Sequence, residues 1–319
     1  MNALIIFNSG KRGDAKRLSK RIHYDFLLQF NKIFDNVYFY GRCENGLPHT
    51  PFLFSYGRKI RFLEKELSLD VIFVFSYFCG KGSLPVGFSS SKTLKICIEV
   101  DYWNVRDKEW YKYNNFNFIM QRGYYRKSVI DSVWVPFSCA DVFLQYQTKN
   151  IKSRIRKIGF AGRGHKYQTH GLYYPIRKEV LKKLDKENLI SIFGVVGHKN
   201  YPIKIGKHFC MLSDTGRVKS PPAKTFEIMG AGALLFTSPF HGAEDLFGKE
   251  KFCHYYMPAN PVRFAKEVYA MSDNQIEDII GTAKEVIKEK HLDNHRLQEI
   301  YDIVHEYEKT KRIIRKWQV

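Results

Sequence analysis

Lys224 and Glu227 lie three residues apart, directly behind the pair Pro221 and Pro222. Proline suits the first turn of a helix and ends whatever precedes it, so the spacing predicts a short helix from 223 to about 230. Gly232 then releases the chain into an apolar strand over 233–236. A helix N-terminus presents N–H groups without intrahelical acceptors and the positive end of the helix dipole. Residues three apart share a face, so a cation stands beside that anion-binding end and a carboxylate one turn deeper. This set suits a nucleoside diphosphate, with Lys224 and the N–H groups on the phosphates and Glu227 accepting from the ribose hydroxyls. The same spacing also fits a capped helix carrying a solvated Lys/Glu pair.

Three other groups could do chemistry. Gly162, Arg163 and Gly164 follow an apolar run over 157–161; the glycines let backbone approach a phosphate and the arginine adds charge, or they form a tight strand–helix turn. Asp101 ends the strand 93–100, where a carboxylate can take a proton or cap a helix starting near Val105. Glu99 and Asp101 alternate onto one side of that strand, which could also pass for a two-carboxylate metal site. The densest basic cluster, Lys11, Arg12, Lys16, Arg17, Lys20 and Arg21, is opposed only by Asp14. None of the eleven histidines has metal-site spacing.

The chain has 319 residues, 44% hydrophobic and 26% charged, with a net charge of +20. That is globular and long enough for two domains. The positive excess predicts attraction to nucleic acid, an anionic membrane surface or an acidic substrate, or simply solvated lysine-rich surfaces. Six scattered cysteines without a Cys-x-x-Cys pair neither frame disulfides nor hold zinc. No apolar run approaches the roughly 18 residues of a membrane span. The first residues lack a basic stretch before a short apolar run that stops at Asn8, unlike a secretory signal. The expectation is a cytoplasmic protein with reduced thiols and no transmembrane segment.

Strand runs at 4–7, 37–40, 71–75, 93–100, 116–120 and 132–136, with helices between them (one after the turn 8–13 reaching to about 34, another at 58–67), predict a parallel sheet covered on both faces. A basic stretch at 147–157 reads as a linker. Beyond it come strands at 157–161, 189–193, 209–213, 233–236 and 252–256, with helices at 174–184, 223–230, 261–271, from 276 onward and from 295 to about 317. The class is α/β: two Rossmann-like domains facing each other across a cleft, one over 1–150 and one over 151–319, the last helix packing back on the first.

Two such domains, with Lys224 to Gly232 followed by Ala243, Glu244, Asp245, Leu246 and Phe247, resemble the GT-B glycosyltransferases, and within them the CgeB-like branch. The likeness runs on to His291 and Arg296, and upstream includes Trp134, Val135, Pro136, Phe137, Asp141 and Phe143. A more distant similarity is to phage DNA glucosyltransferase, which also has a basic-x-aromatic-Glu helix and a strand ending in an aspartate, as 95–101 does here. The resemblance implies an acceptor domain first and a nucleotide-sugar domain second, with a UDP-sugar as co-substrate and no other cofactor. Donor binding would fall to Gly162, Arg163, Gly164, Gly194 in the loop where the family seats the base, Lys224 and Glu227. Cations and helix dipoles would stabilise the leaving diphosphate without a metal, and Asp101 would deprotonate the acceptor. Related retaining enzymes place a glutamate where this chain has Lys219, which favours inversion.

The acceptor stays open at this stage. Lys11, Arg12 and Lys16 would lie on the acceptor side, and with the net charge they fit an anionic acceptor such as hydroxymethylated DNA. An envelope polysaccharide or lipid, reached by peripheral membrane contact, explains the charge equally. A non-catalytic nucleic-acid-binding protein that retains the fold is a further reading. A nicotinamide-type oxidoreductase lacks its fingerprint, since Gly10 and Gly13 give only Gly-x-x-Gly.

Overall fold

Strands covered on both faces bury side chains at successive positions, and most strands of both sheets do so. The computed structural model describes residues 1–6, 26–27, 29–40, 58–75, 84–100, 108–123, 130–146, 150–162, 175–194, 196, 200–216 and 219–314. The chain divides into two units, Met1–Pro136 with Arg296–Lys316, and Phe137–His295 with Trp317–Val319.

The first unit holds β1 (Asn2–Ile6), β2 (Asn36–Tyr40), β3 (Val71–Phe75), β4 (Leu94–Glu99), β5 (Phe118–Gln121) and β6 (Ser132–Trp134). They pair in the order β2-β1-β3-β4-β5-β6, every pair parallel. Successive side chains go to opposite faces: Ala3, Ile5, Phe73 and Ile96 enter one core cluster, Leu4, Ile6, Ile72 and Cys97 the other. Leu297, Ile300, Ile303 and Val304 fill the first of these clusters. They come from α10 (Asp293–Thr310), which therefore closes the first sheet. Arg296 within it is 1% exposed and pairs with Glu299, a core ion pair of this unit.

The second unit holds β7 (Ile158–Ala161), β8 (Ile190–Phe193), β9 (Cys210–Ser213), β10 (Leu234–Thr237) and β11 (His254–Tyr255), ordered β11-β10-β9-β7-β8 and all parallel. Its helices include α3 (Asp141–Gln145), α4 (Pro175–Lys186), α5 (Tyr201–Gly206), α6 (Ala223–Gly230), α7 (Ala243–Phe247), α8 (Pro261–Ala270) and α9 (Asp273–Lys290). Both strand orders have a switch point where the chain reverses direction across the sheet: between β1 and β3 in the first, between β7 and β9 in the second. Ligands of open α/β sheets bind outside the carboxyl ends of the strands at such points.

The units divide at Pro136/Phe137, not at 150/151, and residues 150–157 of the stretch read as a linker are packed structure. Ile151 is 1% exposed and lies in the second core. Asn150 accepts from the Lys152 N–H at 3.0 Å, Arg154 donates to the Gly232 carbonyl, and Arg156 pairs with Asp273 at 2.8 Å. The basic composition concealed one buried isoleucine, with Arg154, Arg156 and Lys157 beside it each held by a partner. The last helix ends at Thr310, earlier than expected, and α5 was not foreseen.

Candidate functional site

The switch point of the second sheet gathers the ends of three strands. β7 stops at Ala161, and Gly162 follows with φ +148°, a conformation open to glycine and little else. Its N–H donates to the Phe193 carbonyl at the end of β8, 3.3 Å away. Gly194 continues from that strand, partly buried. β9 ends at Ser213, and Asp214 follows it, 3% exposed.

α6 starts beside these ends. Pro222 is its N-cap, in an extended conformation and without a side-chain cap; the Thr225 N–H donates to the Pro222 carbonyl at 2.9 Å, and the N–H groups of Ala223 and Lys224 have no intrahelical acceptor. Gly230 lets the other end of α6 lie against α3; a Cβ there would sit 2.4 Å from Cys139 Sγ. Behind the helix, Phe226, Phe247 and His291 form an aromatic cluster with centroids 5.1–5.4 Å apart. His291 Nε2 donates to the Leu246 carbonyl at 2.6 Å. The Phe-Glu and Leu-Phe segments and the distant histidine singled out in the sequence are thus one scaffold that seats α6.

Lys224 folds back over the strand ends. Its ammonium donates to the Ala161 carbonyl, lies 4.5 Å from the centre of the Phe160 ring, and would be 3.3 Å from a Cβ at Gly162. Arg177 of α4 stands close by and donates to Asp214 Oδ2 at 3.0 Å. Asp214 also accepts from the Gly216 N–H at 3.0 Å. Burial, then the positive charge of Arg177, lowers the Lys224 ammonium to about 7, against the opposing pull of Glu227 and Asp214. A cation poised this way gains charge when an anion enters.

Glu227 is 6% exposed, which sets aside the reading of a solvated Lys/Glu pair. Burial and the Glu227 charge push the Tyr201 hydroxyl well above its ordinary value. Lys219 takes φ 48°, and its carbonyl accepts from the His241 N–H at 2.8 Å. Lys224, Glu227, Gly162 and Gly194 are therefore placed in one unit, the first three around the switch point. Asp101, Arg163, Gly164, Lys11, Arg12 and Lys16 lie outside the described residues. Three members of the cluster were not foreseen: Arg177, Asp214 and Tyr201. Asp214 carried a usable signal, since it follows a strand end just as Asp101 does.

In the first unit, Glu99 at the end of β4 is fully buried and takes the Tyr111 hydroxyl on one oxygen. Its Oε2 has no hydrogen-bond partner, and burial raises the carboxyl from 4.5 to about 7. Among the described residues no group of three His, Cys, Asp or Glu could hold a metal. The raised value has a stability consequence. The folded chain keeps the Glu99 proton to higher pH than the unfolded chain, so this contribution is complete below about pH 4.5 and is lost as pH rises through 7. Glu99→Gln, which still accepts from Tyr111, should melt like the wild type near pH 4. Above pH 7.5 it should be more stable, by at most about 3 kcal/mol. Thermal melts between pH 4 and 8 read this directly; an offset independent of pH would contradict it.

The two-sheet α/β fold is that of GT-B glycosyltransferase structures. The chain is similar to Anabaena Alr3699/HepE in complex with UDP, with 11% identity and a TM-score of 0.63 over 96% of this chain and 100% of that one. It is also similar to an alpha-glucosyltransferase in complex with UDP and a 13-mer DNA containing an HMU base (10%, TM-score 0.60, 96% and 99%). A glycosyltransferase from Rickettsia africae is a third such structure (12%, TM-score 0.58, 97% and 99%). Residues 176–302, which include Arg177, Tyr201, Lys224 and Glu227, match the family described as glycosyl transferase-like. No curated protein matches. The family match over residues 176–302 and the shared fold support a glycosyltransferase.

Proposed function

We propose that the chain transfers a sugar from a nucleotide sugar, a UDP-sugar, to an acceptor hydroxyl, with the donor held by the second unit. The observation that carries this reading is the cluster at the β7/β9 switch point. A helix N-terminus without a side-chain cap and a partly buried lysine stand together there, and a buried carboxylate lies one turn further along. The phosphates would meet Lys224, the α6 N–H groups and the Gly162, Arg163 and Gly164 turn. The ribose would meet Glu227, and the base the segment from Gly194. The UDP complexes of HepE and of the alpha-glucosyltransferase support a UDP donor. Within the family we favour the CgeB-like branch, on the Lys224–Gly232 and Ala243–Phe247 segments.

The chemistry follows from charge. The leaving diphosphate needs cations and oriented N–H groups, which this site supplies without requiring a metal or other cofactor. Asp101 would take the acceptor proton, giving a single displacement with inversion. For the acceptor we propose a hydroxymethylated base in DNA, contacted by Lys11, Arg12 and Lys16 of the first unit. The net charge of +20 favours phosphate-rich acceptors, and the DNA complex of the alpha-glucosyltransferase supports the choice. Among the described residues no helix is long and apolar enough to cross a membrane, and we propose a cytoplasmic setting. The test is a transfer assay with a panel of nucleotide sugars in EDTA, offered hydroxymethylated DNA, envelope glycans or anionic lipid vesicles. Transfer to the modified DNA that persists in EDTA is expected. Transfer to glycan or lipid alone would replace the DNA acceptor, and activity lost in EDTA and restored by a divalent ion would overturn the metal-free mechanism.

A further inference from the structure

Arg177 stands at the switch point but has no part in the donor contacts proposed above. It lies in the first turn of α4. Its guanidinium carbon is 5.8 Å from the centre of the Phe160 ring, the same buried ring that has the Lys224 ammonium 4.5 Å from its centre. Two cations from different helices therefore meet at one residue of β7. After burial, the Arg177 charge is the next influence that lowers the Lys224 ammonium. Like charges held this close cost free energy that an entering anion relieves.

Asp214 fixes the arginine. The carboxylate side chain is 1% exposed, against 15% for Arg177. Oδ2 accepts from Arg177 Nε at 3.0 Å, and Oδ1 accepts from the Gly216 N–H at 3.0 Å. A guanidinium carries five N–H donors in a rigid fork, and the one on Nε is given to Asp214. Such a fork can hold a carboxylate along one edge and a phosphate along another. The carboxylate is shut away behind the arginine, while the arginine itself reaches the surface where a ligand arrives.

We propose that Arg177, held by Asp214, is a specificity-determining residue of the donor site: it binds the phosphate farther from the ribose and so selects nucleoside diphosphates over monophosphates. The inference rests on the reading of Lys224 and Glu227 as donor ligands, and that reading sets the order of contacts. Glu227 shares α6 with Lys224, so the phosphate next to the ribose falls to Lys224. The cation from the other helix is left for the second phosphate, which a monophosphate lacks.

The test is calorimetric titration of the full chain with UDP and with UMP at pH 6.5. The wild type should prefer UDP by at least about tenfold. Arg177→Met combined with Asp214→Asn removes the ion pair together and strands no buried carboxylate. It should weaken UDP by about tenfold or more and leave UMP within about threefold of the wild type. A bridge that only ties α4 to the end of β9 would lower the melting temperature and leave the UDP/UMP ratio unchanged, which overturns the role. Equal weakening of both nucleotides overturns it too. If Lys224→Met and Glu227→Ala weaken UDP and the paired variant does not, this inference falls and the donor reading stands. If none of the three alters UDP binding, both fail. Should the paired variant not fold, Arg177→Lys serves instead, since it keeps a charge beside Asp214 but loses the fork. A UDP/UMP ratio lowered by about threefold or more then supports the role, and a smaller change overturns it.

Discussion

Asp101→Asn should lower kcat by about 10²–10⁴-fold and leave UDP affinity within about twofold of the wild type. The amide keeps the size and hydrogen-bonding reach of the carboxylate but cannot accept the acceptor's proton. The loss therefore falls on the chemical step. Asp101 follows Glu99, the last residue of β4, by two positions in the sequence, whereas the donor cluster belongs to the second unit. The assignment also requires that the anomeric configuration invert, which NMR of the product linkage reads. Retention, or near-normal turnover in Asp101→Asn, would reduce the residue to a helix cap.

The second large effect belongs to Lys224. Lys224→Met preserves the length and packing of the side chain but removes the charge that meets the leaving diphosphate. By analogy with the loss of one preorganised donor to a developing anion, kcat/KM should fall about 10²–10³-fold. The pH dependence is the more specific signature. With its ammonium lowered to about 7 by burial and Arg177, Lys224 is only partly charged at neutral pH. A bound diphosphate raises that value, so binding takes up a proton. Affinity should then be greatest below pH 7 and fall as pH rises above it, by up to about tenfold per unit until the bound-state value is reached. The groups facing the ammonium are Arg177, Asp214 and Glu227, of which the first opposes its charge and the other two support it. In Lys224→Met the slope between pH 7 and 8.5 should vanish. An unchanged slope would move the titration to another group.

Much of this was legible before the coordinates. The strands of both sheets are apolar at successive positions, which only double-sided burial explains, and each was found to within a few residues. The Lys224/Glu227 pair was legible because a proline pair fixed where its helix begins. The aromatic backing of that helix was visible only as a resemblance, because Phe226, Phe247 and His291 meet across segments that no local period connects. Tyr201 and α5 were hidden for a local reason. Six residues containing Pro202 and Gly206 carry no amphipathic repeat, so the segment reads as loop. Arg177 and Asp214 are 37 residues apart, and spacing along the chain says nothing about a pair made by sheet order. The stretch read as a linker shows the reverse error over its described residues, 150–157, where a high charge density outweighed the single buried Ile151 and the partners of Arg154 and Arg156.

The central claim is that the β7/β9 switch point holds a nucleoside diphosphate through Lys224 and Glu227. Calorimetric titration of UDP at pH 6.5 into the wild type, Lys224→Met and Glu227→Ala tests it most directly. The account predicts saturable binding to the wild type, weakened about tenfold or more in each variant while both variants keep cooperative melting curves. Equal UDP affinity in all three proteins, or no binding to a folded wild type, would contradict it.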